Sequence, residues 1–168
     1  MTLPPEDPPE ILLLQPPARG MVSGGYRFNR ALADELENGQ AGVQMEWNPA
    51  GPLPAGDAAV VLVDSLYLSR PAEDRIRCWL EAENRKSYLL AHYLPMEDGS
   101  LGQGLKAAWH RTARTWLSSL RGILCTGRRQ CGLWRRHFPG VDEVHFLPPA
   151  IPDRRTVPFP ERPPGGPV

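Results

Sequence analysis

The sequence predicts a single α/β domain, a mostly parallel sheet with helices on both of its faces, and three observations carry that reading. The chain has 168 residues and is 41% hydrophobic, a size and composition that suit one domain with a real core. Its 20 prolines crowd the ends, with six in residues 1–17 and eight in residues 148–168, so the foldable part lies between them. Within that part, short apolar runs alternate with amphipathic stretches at helical spacing. Buried strands alternating with helices imply a parallel sheet.

The elements follow in order. Residues 11–15 form an apolar run closed by Pro16-Pro17 and read as a buried strand. A glycine-containing loop precedes a helix over 26–37, where Phe28, Leu32 and Leu36 recur every four residues. Residues 43–47 alternate weakly as a second strand, 48–56 is a Pro/Gly turn region, and 58–63 is the clearest strand. A helix over 72–84 starts beside Pro71 and aligns Ile76, Trp79 and Leu80. Residues 87–91 are a strand, 101–120 a long helix, 122–125 a strand, 128–137 a helix and 144–147 the last strand. The order is β-α-β-β-α-β-α-β-α-β. Residues 10–152 are expected to fold, with proline-rich tails at 1–9 and 153–168.

Several function classes start low. Lys plus Arg and Asp plus Glu both number 19, and a large nucleic-acid surface needs a basic excess. Neither long apolar run, 11–14 or 58–63, approaches the roughly 20 residues needed to span a membrane. Residues 1–10 are acidic and proline-rich, unlike a secretory leader, so the expected compartment is the cytoplasm. Cys78, Cys125 and Cys131 lack metal-ligand spacing and read as reduced thiols, at least two of them buried.

Ligands of parallel sheets bind at the carboxyl ends of the strands, which directs attention to the residues there. Ser23-Gly24-Gly25 opens the first helix, and glycines at a helix start permit close approach of a phosphate, although a plain turn has the same composition. It is neither a dinucleotide fingerprint nor a P-loop. Asp64, with Ser65, follows the third strand and reads either as a ligand group or as the cap of the next helical turn. His92 follows the fourth strand, where imidazole can donate to a hydroxyl or a developing charge.

On these residues the chain resembles family-4 retaining glycosyltransferases. Ser23-Gly24-Gly25-Tyr26-Arg27-Phe28-Asn29 is similar to their first loop and helix, and Val63-Asp64-Ser65-Leu66 to a later strand end. Ala91-His92-Tyr93-Leu94-Pro95-Met96-Glu97 resembles their histidine-bearing strand end. Cys125-Thr126-Gly127 and Phe146-Leu147-Pro148-Pro149-Ala150-Ile151 resemble the close of the N-terminal domain before the interdomain linker. The likeness runs from about Ile11 to Pro152.

The resemblance implies the GT-B fold of two Rossmann-like domains, of which this chain matches the acceptor-side one. It implies that Ser23, Gly24 and Gly25 approach the donor diphosphate and that His92 and Asp64 stand at the reacting centre. Tyr26, Asn29, Ser65, Tyr93, Thr126 and Arg128 are then expected along the acceptor cleft. No cofactor or metal is expected, the nucleotide-sugar being a substrate. The family keeps its basic leaving-group residues and a Glu-x7-Glu motif in the other domain, so a separate donor-binding chain is the expected partner. The alternative is a sugar- or lipid-binding or regulatory domain without catalysis. Arg128, Arg129, Arg135 and Arg136 around Leu133 and Trp134 read either as a solvated face or as a surface for an anionic membrane.

Overall fold

The computed structural model describes residues 11–16, 24–39, 41–45, 58–69, 74–82 and 86–148. The expected tails, and Ser23, lie outside the described residues. Six strands form one parallel sheet: β1 (Ile11–Leu14), β2 (Val43–Met45), β3 (Val60–Asp64), β4 (Ser87–Ala91), β5 (Gly122–Cys125) and β6 (Glu143–Phe146). Among the described residues four α-helices accompany them: α1 (Gly24–Asn38), α2 (Asp74–Ala82), α3 (Gln103–Leu117) and α4 (Arg128–His137). The strand order across the sheet is β2-β1-β3-β4-β5-β6, every neighbour parallel. The α/β class, the parallel sheet and the order of elements are those expected from the sequence.

The chain steps one way from β1 to β2 and the other way from β3 through β6. Right-handed crossovers then put the helices of the two directions on opposite faces. Leu12, Leu14, Val61, Val63, Leu89 and Ala91 point to the layer of α2, α3 and α4, where Ile76, Trp79, Trp109, Trp116 and Trp134 meet them. The intervening Leu13, Leu62 and Leu90 point the other way, towards Phe28 and Leu32 of α1. Strands packed on both faces have no polar alternation, which is why they read as unbroken apolar runs. Trp134 lies between Trp109 and Phe138 with ring centroids 5.7 and 5.1 Å away, and locks α3 to α4.

Three local features depart from the expectation. A 3-10 helix over Ser65–Ser69 follows β3, and another over Pro95–Glu97 follows β4. Gly24 and Gly25 form the first residues of α1 rather than a loop before it. α3 runs only from Gln103 to Leu117, because Ser118 caps it and the chain turns so that the Arg121 N–H donates to Ser87 O at 2.8 Å. Gly122 packs closely on β6, since a Cβ there would lie 2.4 Å from Glu143 O.

Charge is unevenly spread. Residues 99–141, spanning α3, β5 and α4, contain eight Lys and Arg and no Asp or Glu. Arg111, Arg114, Arg128, Arg129, Arg135 and Arg136 of this segment are exposed. The balanced total therefore conceals a basic stretch, met in part by Glu97, Asp98 and Glu143 of neighbouring elements. Among the described residues no helix is long and apolar enough to cross a membrane.

Candidate functional site

The connections of β1 and β3 leave in opposite directions, so the crevice at their carboxyl ends is the topological switch point, the usual ligand position in such sheets. Four polar residues from four elements meet there. Gln15 directly follows β1, Asp64 ends β3, His92 directly follows β4, and Asn29 projects from α1 across the sheet edge. Gln15, Asn29 and Asp64 are buried, with 3%, 0% and 0% exposure, while the His92 side chain keeps 12%.

Buried polar groups are kept only when paired. Asn29 is the hub: Nδ2 donates to Gln15 Oε1 at 2.9 Å and to Asp64 Oδ2 at 2.6 Å, and Oδ1 accepts from His92 Nε2 at 2.8 Å. The other Asp64 oxygen accepts the Leu66 N–H at 2.8 Å, so the carboxylate also caps the 3-10 turn after β3. The capping role that the sequence offered for Asp64 is thus filled, while its other oxygen faces Asn29. His92 Nε2 lies 3.7 Å from Asp64 Oδ2, with Asn29 between them.

Burial dominates the titration of this pair. It raises the Asp64 carboxyl above its ordinary value, against the pull of His92 and of the Leu66 and Asn29 N–H groups. It lowers His92, against the attraction of Asp64. The imidazole is therefore biased towards neutrality, in which form one ring nitrogen donates and the other accepts. The Phe28 ring meets His92 edge-on at 5.3 Å and narrows its freedom.

The His92 backbone is tied on both sides. Its N–H donates to Ser65 Oγ at 3.3 Å, and its carbonyl accepts from Gln130 Nε2 of α4 at 2.5 Å. A cleft of about 310 Å³ opens beside it, lined by Tyr93, Asp98, Arg129 and Gln130 among others. A second cleft, about 350 Å³, lies between the carboxyl ends of α3 and α4, where His110, Arg114 and His137 line it. His110 Nε2 lies 3.3 Å from His137 O, the carbonyl at the end of α4, where a basic side chain complements the helix terminus.

The expected site residues separate into those brought together and those occupied elsewhere. Asn29, Asp64, Ser65 and His92 converge. The Tyr26 hydroxyl donates to Pro16 O at 2.8 Å, tying α1 to the residues directly after β1. The Tyr93 hydroxyl donates to Asp98, and the ring is 46% exposed at the cleft rim. Thr126 lies against the carboxyl end of β4, its N–H donating to Ala91 O at 3.2 Å. The Arg128 guanidinium stacks over Phe146 at 4.6 Å. Gly24 and Gly25 open α1, and a Cβ added at Gly24 would meet nothing within 4 Å, so space remains around the helix start. Gln15 and Gln130 were not anticipated; a polar residue directly after the first buried strand was the available signal for Gln15. Among the described residues no group of three His, Cys, Asp or Glu is placed to hold a metal ion. No protein-family model matches the chain, and no curated protein is significantly similar to it.

Proposed function

We propose that this domain is the acceptor-side half of a retaining glycosyltransferase, working with a separate donor-binding chain to move a sugar from a nucleotide-sugar. The observation that supports it most is the convergence of His92, Asp64 and Asn29 at the switch-point crevice, two residues of that trio coming from different strand ends. A polar cluster with a buried carboxylate and a histidine of 12% exposure is costly to build for stability alone. The open space at Gly24 and a first turn of α1 that carries no acidic residue suit an anionic diphosphate. In this reading His92 holds a hydroxyl of the transferred sugar, and Tyr93, Thr126 and Arg128 border the acceptor. The reaction takes place in the cytoplasm, and the basic α3–α4 side lies towards an anionic membrane when the acceptor is a lipid.

The test is to isolate the native chain with its partners, identify them by mass, and assay the assembly for nucleotide-sugar consumption. His92→Ala in that assembly is expected to abolish product. Full activity of His92→Ala, or an assembly without any nucleotide-sugar-binding chain, refutes the proposal.

A further inference from the structure

The three-residue relay behind His92 sets which of its ring nitrogens faces a ligand. Both Asp64 oxygens accept hydrogens, Oδ1 from the Leu66 N–H at 2.8 Å and Oδ2 from Asn29 Nδ2 at 2.6 Å. A donor faces each oxygen, so Asp64 accepts at both, as a carboxylate does. Asn29 presents its amide nitrogen to Asp64 in this arrangement. The second Nδ2 hydrogen goes to Gln15 Oε1 at 2.9 Å, which agrees with the same orientation. Asn29 Oδ1 is then left facing His92 Nε2 at 2.8 Å, and an oxygen there requires a hydrogen on Nε2.

We infer that Asp64 and Asn29 are positioning residues that hold neutral His92 as its Nε2–H tautomer, so that Nδ1 serves as a hydrogen-bond acceptor for a ligand hydroxyl. Nδ1 has no partner among the described residues. The His92 side chain keeps 12% exposure, through which a ligand can approach. An acceptor nitrogen selects a neutral hydroxyl and disfavours an anionic oxygen. The inference deepens the proposed function by giving the ligand atom type, and rests on it only for the ligand being a sugar.

The relay makes a sharp prediction for Asp64→Asn. The Leu66 N–H keeps the amide oxygen on its side, which puts an NH₂ where Oδ2 was. Asn29 and Gln15 must then turn over, and Asn29 Nδ2 faces His92 Nε2. The imidazole is expected to switch to Nδ1–H. Long-range proton–nitrogen correlation spectra of the labelled full chain at pH 8 read this directly, with His92→Gln assigning the signal among the four histidines. Wild type is expected to show one Nε2–H tautomer and Asp64→Asn the Nδ1–H form. A wild-type Nδ1–H or mixed His92 overturns the inference whether or not the variant folds, and an unchanged tautomer in folded Asp64→Asn overturns it as well. Glycerol at molar concentration supplies a hydroxyl probe. It should shift the His92 Nδ1 resonance in wild type and not in Asp64→Asn; an equal response in both, or none in wild type, overturns the acceptor role. None of these measurements uses a nucleotide-sugar, so a failed transferase assay would refute the proposed function without touching the tautomer.

Discussion

Replacing Asn29 with Ala removes the hub and tests whether the cluster is as tightly coupled as its geometry implies. The substitution deletes two donated hydrogen bonds, to Gln15 and Asp64, and one accepted from His92. A hydrogen bond to a charged group contributes about 1.5–3 kcal/mol, and each buried group left unpaired costs about 1–3 kcal/mol. Asp64 keeps only the Leu66 N–H, close to the case of a buried pair broken on one side, so the expected loss is about 3–5 kcal/mol. For a chain of this size that is a fall in Tm of roughly 6–20 °C, at about 2–4 °C per kcal/mol. The pH dependence has a definite sign. Burial already raises the Asp64 carboxyl, and losing the Asn29 donor raises it further. A raised group contributes stability that is full below its unfolded pKa, about 3.9, and is lost as pH rises through the folded value. The deficit of Asn29→Ala should therefore shrink from pH 8 to pH 5, as thermal melts followed by circular dichroism will show. A deficit under about 1 kcal/mol, below the value of a single hydrogen bond to a charge, or one that grows on acidification, refutes the reasoning.

Three further outcomes are expected. Gly122→Ala forces a methyl to within 2.4 Å of Glu143 O and should cost about 1–3 kcal/mol by overpacking, checked by urea unfolding; a neutral result would mean β5 and β6 are farther apart than described. His92 has a lowered pKa, so its contribution to stability is held above its unfolded pKa of about 6.5 and lost as pH falls through the folded value; the stability gap between wild type and His92→Gln should narrow from pH 7 to pH 5. Cys78 is exposed whereas Cys125 and Cys131 are buried, with burial pushing the Cys125 thiol up, so an aromatic disulfide reagent should titrate one thiol quickly and the other two only on unfolding.

The fold was legible because this sheet is buried on both faces. Leu12–Leu14 and Val61–Val63 carry apolar residues towards both layers, and such runs stand out in a sequence this rich in charge. β4, β5 and α4 have the bounds read from the sequence, since glycine, cysteine and basic residues punctuate them sharply. The two 3-10 turns were not legible. Ser65–Ser69 holds buried Tyr67 and Leu68, so its pattern is that of core, and its turn depends on the Asp64 carboxylate accepting the Leu66 N–H. The site was half legible. Asp64 and His92 announced themselves as polar residues at the ends of apolar strands. The roles of Asn29 and Gln15 could not be read, because they arise from contacts 35, 63 and 14 residues apart that only the strand order brings together. Tyr26 and Arg128 also hold structural contacts that the sequence did not announce, with Pro16 O and the Phe146 ring.

The uneven placement of charge has a dynamic consequence. With eight cationic side chains and no carboxylate between residues 99 and 141, charge is segregated along a chain whose formal total is zero. Such a molecule is not drawn as a whole by a distant charged body but is rotated by it, so its encounters are oriented before contact. The rotation operates within a screening length of about 8 Å at physiological salt and about 30 Å at about 0.01 M. Association rates with any negatively charged partner should therefore fall with added salt far more than a neutral chain would suggest, while dissociation, set by contacts already formed, changes little.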